Sequence, residues 1–157
     1  MKETTAYMIS HMLKKVTNSK VKVSGTDIAT KTGTSSYDET RLKSLGLSNK
    51  VIQDAWTVTY SPDYSVAIWY GYDELTKKIY NTSNHAWSER RVIQRKIVNN
   101  IMEKNSKFKK PAGIVTSKVV VGSNPPVLPN STTPKSKIQT HLFIKGTQPT
   151  RVSSKYY

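Results

Sequence analysis

Cysteine is absent from all 157 residues, so neither disulfides nor zinc-finger thiolates hold this chain together. That absence suits a bacterial surface protein built without disulfides and a cytosolic protein equally well. Acid is absent from the last part: no Asp or Glu follows Glu103, while residues 104–157 carry ten Lys or Arg. No run approaches the roughly 18 apolar residues of a membrane span. The first residues lack the apolar stretch of a signal peptide. If the chain works outside a cell, its export signal and anchor are therefore expected on sequence beyond it. Also missing are an RNP1 element and an Arg/aromatic stacking platform, the usual devices of nucleic-acid binders. The net charge of +15 attracts anionic surfaces without naming one. It reads as adaptation to an anionic envelope rather than to nucleic acid.

What is present is one domain's worth of sequence, enough for a core. Thr4 or Thr5 is expected to cap a helix running to about Asn18, with Ala6, Ile9, Leu13 and Val16 as its core-facing stripe. Ser35 to Gln53 is polar and reads as a long surface loop. Two aromatic and β-branched runs, 55–60 and 64–70, are joined at Ser61-Pro62-Asp63 and predict an antiparallel hairpin. Within it Thr57 and Thr59 point to one face, and Trp56, Val58 and Tyr60 to the other. A second helix is expected from a Ser88 cap to about Lys104, with Glu89 and Lys104 complementing its dipole. Its stripe is Ile93, Ile97 and Ile101, flanked by Val98 and Met102. Beyond Pro111, residues 114–121 read as a strand and Leu142-Phe143-Ile144 as a short return. Between them lies a Ser/Thr/Asn-rich linker punctuated by Pro125, Pro126, Pro129 and Pro134.

The most informative stretch is Lys31-Thr32-Gly33-Thr34, after the turn and β-compatible run Gly25-Thr26-Asp27-Ile28-Ala29. Lys31 brings a cation, Thr32 and Thr34 bring hydroxyls, and Gly33 has no side chain to keep a ligand off the backbone. A strand edge of this kind can bind an extended peptide through its backbone while its cation holds a carboxylate. Together with the block from Asp54 to Asp73, this stretch closely resembles the C-terminal half of a penicillin-binding transpeptidase domain, whose motifs include K-T-G. Phe143-Ile144-Lys145-Gly146-Thr147-Gln148-Pro149 resembles the tail of that family's class A, bifunctional members.

The resemblance implies an α/β fold: an antiparallel sheet with packed helices, part of the serine β-lactamase/DD-transpeptidase fold. Residues 1–112 would be the C-terminal part of the transpeptidase domain. Residues 113–157 would be a basic, Pro/Ser/Thr-rich appendage. It further implies acyl transfer that cross-links peptidoglycan stem peptides on the outer face of a bacterial membrane, inhibited by β-lactams, in a parent that is also a glycosyltransferase. Lys31 and Thr34 would be catalytic, the second through its backbone N–H as an oxyanion donor. Lys31, Thr32, Gly33 and Thr34 would bind substrate. No cofactor or metal is implied.

The other two motifs of the family are not met here. No Ser-x-Asn occurs. The Ser-x-x-Lys at Ser106 to Lys109 follows the end of a predicted helix, where the dipole opposes a developing alkoxide. The nucleophile is therefore expected on an N-terminal remainder of the same protein carrying Ser-x-x-Lys and Ser-x-Asn, and this piece alone should be inactive. Thr30 stands where the family has a small Gly, and Thr57 and Thr59 replace a Phe and a small residue. His11, His85 and His141 are scattered without metal spacing. Asp38-Glu39 and Asp73-Glu74 read as solvated loop pairs, and Trp56 and Trp69, on strands, as packing residues. The rival readings are a non-catalytic basic module for nucleic acid or an anionic wall polymer, and a silent relative that keeps the strand as a peptide dock.

Overall fold

The computed structural model describes residues 1–17 and 20–155. Two compact units divide the chain: 10–108 form one, and 1–9 with 109–157 form the other. Helix α1, Glu3–Lys14, begins in the second of these and ends in the first.

The larger unit is α/β. Strands β1 (Ala29–Ser36), β2 (Val51–Tyr60) and β3 (Ser65–Gly71) lie in the antiparallel order β1-β2-β3, and the two-residue β4 (Asn81–Thr82) also pairs with β2. The expected hairpin is there. Ser61 N–H donates to the Tyr64 carbonyl at 2.9 Å, and the Ser61 hydroxyl accepts from Asp63 and Tyr64 N–H. Its faces alternate as expected: Thr57 and Thr59 are buried, while Trp56 and Val58 are 45% and 38% exposed.

Three local expectations need correcting. The segment 35–53 is not a loop. β1 reaches Ser36, helix α2 (Glu39–Ser44) follows, and the Asp38 carboxylate caps it by accepting from Thr40 and Arg41 N–H. Asp38 caps the helix while staying exposed, and Glu39, Asp73 and Glu74 are exposed too, as expected of solvated pairs. Leu42, Val51 and Leu75 form a small cluster beside α2. α1, for its part, starts before the expected caps, with Thr4 and Thr5 inside its first turn. It ends at Lys14, where Thr17 Oγ1 bonds the Leu13 carbonyl and competes with helix continuation. Asn18 lies outside the described residues. Its expected stripe is not core: Ile9 and Val16 are exposed, and the buried residue is Ser10, hydrogen-bonded to Tyr60 OH at 3.0 Å.

The third correction matters most. Helix α3 runs Ser83–Ile101, capped by Thr82 rather than Ser88, with no acid in its first turn and no base in its last. Ile97 and Ile101 are exposed. The buried residues are Ala86, Arg90, Gln94 and Val98, one every fourth position, with Met102 following as its cap. Val98 and Met102 pack with Val21 and Ile28, and Ala86 with Ile52 and Ala55. Two polar residues therefore occupy the centre of the helix–sheet interface.

In the other unit β5 (Ile114–Val120) and β6 (Ile138–Ile144) pair antiparallel, and β6 is longer than the expected three residues. The segment between and after them is ordered by hydrogen bonds. Asn130 Nδ2 donates to the Ser153 and Lys155 carbonyls, and Leu128 and Val152 form a parallel bridge.

Candidate functional site

Strand β1 carries Lys31-Thr32-Gly33-Thr34 and, among the described residues, pairs on one side only, with β2. It is an edge strand, so half of its backbone N–H and C=O groups face away from the sheet's ladder. From Lys31 onward every β1 residue is exposed, whereas Ala29 and Thr30 are buried.

The period of two separates the predicted site residues. Lys31 lies opposite Val58, and Gly33 opposite Trp56, on the face where Val58 and Trp56 are half-exposed. Thr30 turns the other way, toward α3, where Gln94 Nε2 bonds its hydroxyl at 3.3 Å. Thr32 and Thr34 share that second face, and Thr34 lines a recess against α3. Lys31 and the two threonine hydroxyls are thus not gathered on one wall. They flank the free edge from opposite sides. The Lys31 ammonium folds onto the Thr32 carbonyl of its own strand.

The start of the strand is anchored by charge. Asp27 accepts from Lys14 Nζ at 2.6 Å, from Lys107 Nζ at 3.4 Å and from Phe108 N–H at 3.2 Å. Burial would raise its carboxyl, but the Lys14 hydrogen bond and charge, Phe108 N–H and Lys107 outweigh that and hold it below the usual range. Asp27 N–H also donates to the Ser106 carbonyl. Ser106 and Lys107, from the set-aside Ser-x-x-Lys, thus brace β1. At the far end, hydrogen bonds from Ser35 and Trp69 to Asp54 depress its carboxyl and tie β1 to β2 and β3.

The centre of the strand is held by α3. Arg90 Nη1 donates to the Trp56 carbonyl at 2.9 Å and approaches the Gly33 carbonyl at 3.4 Å. Gln94 Nε2 donates to Thr59 Oγ1 at 2.6 Å. Thr30 and Thr59 therefore form a buried hydroxyl layer under α3, and Thr57 is buried on the same face. Sequence reasoning missed Arg90 and Gln94. Their signal was a spacing of four in register with Ala86 and Val98 once the helix is started at Thr82.

Trp56 and Trp69 are 45% and 40% exposed, which corrects their expected burial. The Trp69 indole N–H donates to Asp54. His85 shares a hydrogen bond with Tyr70 OH, and His141 with Gln139. Among the described residues no cluster of His, Asp and Glu has metal-binding geometry.

Residues 110–157 match the family model of the C-terminal domain of penicillin-binding protein 1A, a span that includes the 143–149 block. Over 99% of its length the chain is 33% identical to penicillin-binding protein 1A/1B of Bacillus subtilis, covering 18% of that protein. Over 66% of its length it is 31% identical to penicillin-binding protein 1A of Clostridium tetani, covering 13%. The chain thus spans less than a fifth of the curated relatives it matches. It belongs to the class A penicillin-binding proteins and corresponds to a C-terminal part of one.

Proposed function

We propose that this chain supplies the Lys-Thr-Gly strand of a serine DD-transpeptidase of the serine β-lactamase fold, which cross-links peptidoglycan stem peptides outside the membrane. A serine on another segment, carrying Ser-x-x-Lys, attacks the stem-peptide carbonyl and expels its terminal amino acid. An amine of a second strand then takes the acyl group. Lys31 sets the local potential and assists proton movement through the serine of Ser-x-Asn. The Thr34 N–H is one oxyanion donor, a contact typically worth about 100- to 1,000-fold in turnover. Thr32 and Thr34 hydroxyls hold the terminal carboxylate of the peptide or of a β-lactam. The parent is also a peptidoglycan glycosyltransferase, anchored through a segment beyond this chain.

The observation that carries this reading is the open edge of β1 from Lys31 to Ser36, exposed at every position and pinned at start, centre and end. A peptide adds to such an edge as a further strand. Gly33 supports it too. A Cβ there would meet only Trp56 Cβ, at 3.5 Å, an ordinary contact. Nothing inside the chain requires glycine, so the demand for an open backbone is placed on what docks there.

The test pairs the chain with a companion segment bearing Ser-x-x-Lys and Ser-x-Asn and measures covalent labelling by a fluorescent penicillin. The pair labels, the chain alone does not, and Lys31→Ala in the pair abolishes labelling. Labelling of the isolated chain would sink the reading, because the nucleophile would then have to be here. The acid-free, ten-cation segment 104–157 favours a second reading, a basic module for an anionic wall polymer or nucleic acid. Polyanion binding with a steep salt dependence, indifferent to Lys31→Ala, would support it.

A further inference from the structure

Arg91 and Arg95 stand one turn apart on α3, at a spacing where like charges weaken a helix. No acid relieves them. The one carboxylate of α3 is Glu89, and neither arginine has an Asp or Glu three or four residues away. None of the three salt bridges among the described residues includes either of them. Arg91 is nevertheless held in place: its guanidinium carbon lies 4.0 Å from the centre of the Trp87 ring. Stacking of this kind engages the flat face of a guanidinium and leaves its N–H edge for an anion.

The two arginines line a pocket of about 200 Å³ together with Trp87, Ser88 and Val92 of α3 and Lys20, which precedes β1. Three cations therefore converge on one concavity, and no Asp or Glu among the described residues lines it. The Ser88 hydroxyl adds a neutral donor. Trp87 and Val92, 54% and 38% exposed, add apolar surface. The volume lies below the usual range of about 300–1,000 Å³ for ligand pockets, which favours a compact anionic group over a large molecule.

We propose that this pocket binds a phosphate monoester with a small organic flank, as a free ester or as a lipid headgroup. A carboxylate would leave most of the positive charge unbalanced. A monoester approaches a dianion at neutral pH, and its terminal oxygens suit two guanidinium forks and an ammonium. Arg91 and Arg95 donate to those oxygens, Lys20 adds a point charge, and the organic flank lies on Trp87 and Val92. None of these residues belongs to β1 or to the acid-free segment 104–157. The site therefore rests neither on the Lys-Thr-Gly strand nor on the basic tail, and it goes beyond both readings given above.

The full chain is titrated with glycerol 3-phosphate while nitrogen–proton correlation spectra follow the arginine Nε–H and indole N–H signals. Those of Arg91, Arg95 and Trp87 are expected to shift together and saturably. Arg95→Gln, at an exposed position, should weaken binding roughly ten- to a hundredfold, the loss of a charged hydrogen bond. Arg91→Lys keeps the charge but loses the stacked fork, and should weaken it at least about threefold. Val92→Ser should weaken glycerol 3-phosphate by about threefold and leave inorganic phosphate unchanged, which separates recognition of the flank from capture of an anion alone. Phosphatidylcholine vesicles with and without phosphatidic acid distinguish the two sources. Binding that needs phosphatidic acid and is lost in Arg95→Gln assigns a lipid headgroup; no such binding beside saturable glycerol 3-phosphate binding assigns a free ester. Shifts that do not saturate, that spread over the lysines of 104–157, or that persist unchanged in Arg95→Gln overturn the proposal. Penicillin labelling of the paired chain is expected to be unchanged in all three variants, so this site and the acyl-transfer reading fail separately.

Discussion

Replacing Gln94 by Leu removes the donor at the centre of the helix–sheet interface while keeping nearly the same volume. Gln94 is 3% exposed, Thr59 0% and Thr30 4%. The amide donates to both hydroxyls, at 2.6 and 3.3 Å. Each such bond is worth about 1 kcal/mol net, and a buried acceptor left without a donor costs a further 1–3 kcal/mol or so. The hydroxyls soften that loss, because Thr30 and Thr59 lie 3.3 Å apart and Thr17 Oγ1 donates to Thr30 at 3.2 Å. The leucine returns some burial energy as well. We expect a loss of about 2 kcal/mol, read as a lower urea midpoint at unchanged slope. The decisive variant is the triple change Gln94→Leu, Thr30→Val, Thr59→Val. Replacing all partners of a buried hydrogen-bonded set by apolar groups of like shape is nearly neutral, so it should recover most of the loss. A Gln94→Leu effect within about 0.5 kcal/mol of zero, the usual span for surface changes, would refute the account. So would a triple variant no more stable than the single one.

Two further outcomes follow from the anchors of β1. The carboxyl of Asp27 is depressed in the folded chain, so its contribution is present above its unfolded pKa and is lost as pH falls through the lower folded value. Asp27→Asn should cost about 2 kcal/mol at neutral pH and flatten the acid limb of a stability–pH profile; an unchanged acid limb contradicts the anchor. Gly25 has φ +69°, and a Cβ there would collide with the Asn105 side chain. Gly25→Ala should therefore lower stability by at least about 1–2 kcal/mol, and a thermal midpoint equal to that of the parent chain would contradict it.

The hairpin, its turn and the split of its two faces were legible because β-branched alternation and Ser-Pro-Asp turn chemistry agree with each other. Helix α3 was misread at its start because Asn81-Thr82-Ser83-Asn84-His85 looks like a polar loop, although Thr82 supplies the cap. Starting the helix at Ser88 moved attention to Ile93, Ile97 and Ile101. No rule of apolar periodicity selects Arg90 and Gln94 as core. They are inside because Thr30, Thr59 and two strand carbonyls wait there with partners. The tryptophans misled in the opposite sense. Trp56, Val58 and Trp69 make one contiguous strip of half-exposed apolar surface beside Lys31, whereas burial statistics assume a sheet covered on both faces. The Lys-Thr-Gly strand itself was legible as a strand. That its cation and its hydroxyls lie on opposite faces follows from the period of two and needed only the register.

That register is what the polar interface secures. A slip of β1 by one residue would turn Lys31 under α3 and bring Thr30 and Thr32 to the open face, since strand side chains alternate strictly. Apolar packing would resist such a slip weakly here: the α3 face of β1 from Thr30 to Thr34 carries three threonines and no large apolar residue. Gln94 and Arg90 resist it through direction. Gln94 bridges Thr30 on β1 to Thr59 on β2, and Arg90 bridges the Gly33 and Trp56 carbonyls of the same two strands. Both pairs are cross-strand partners in the observed register. A shifted strand would leave a guanidinium and an amide buried with poorer partners, at a cost of several kcal/mol. The buried polar pair in α3 therefore does more than tolerate burial. It sets which face of an exposed edge strand presents the lysine.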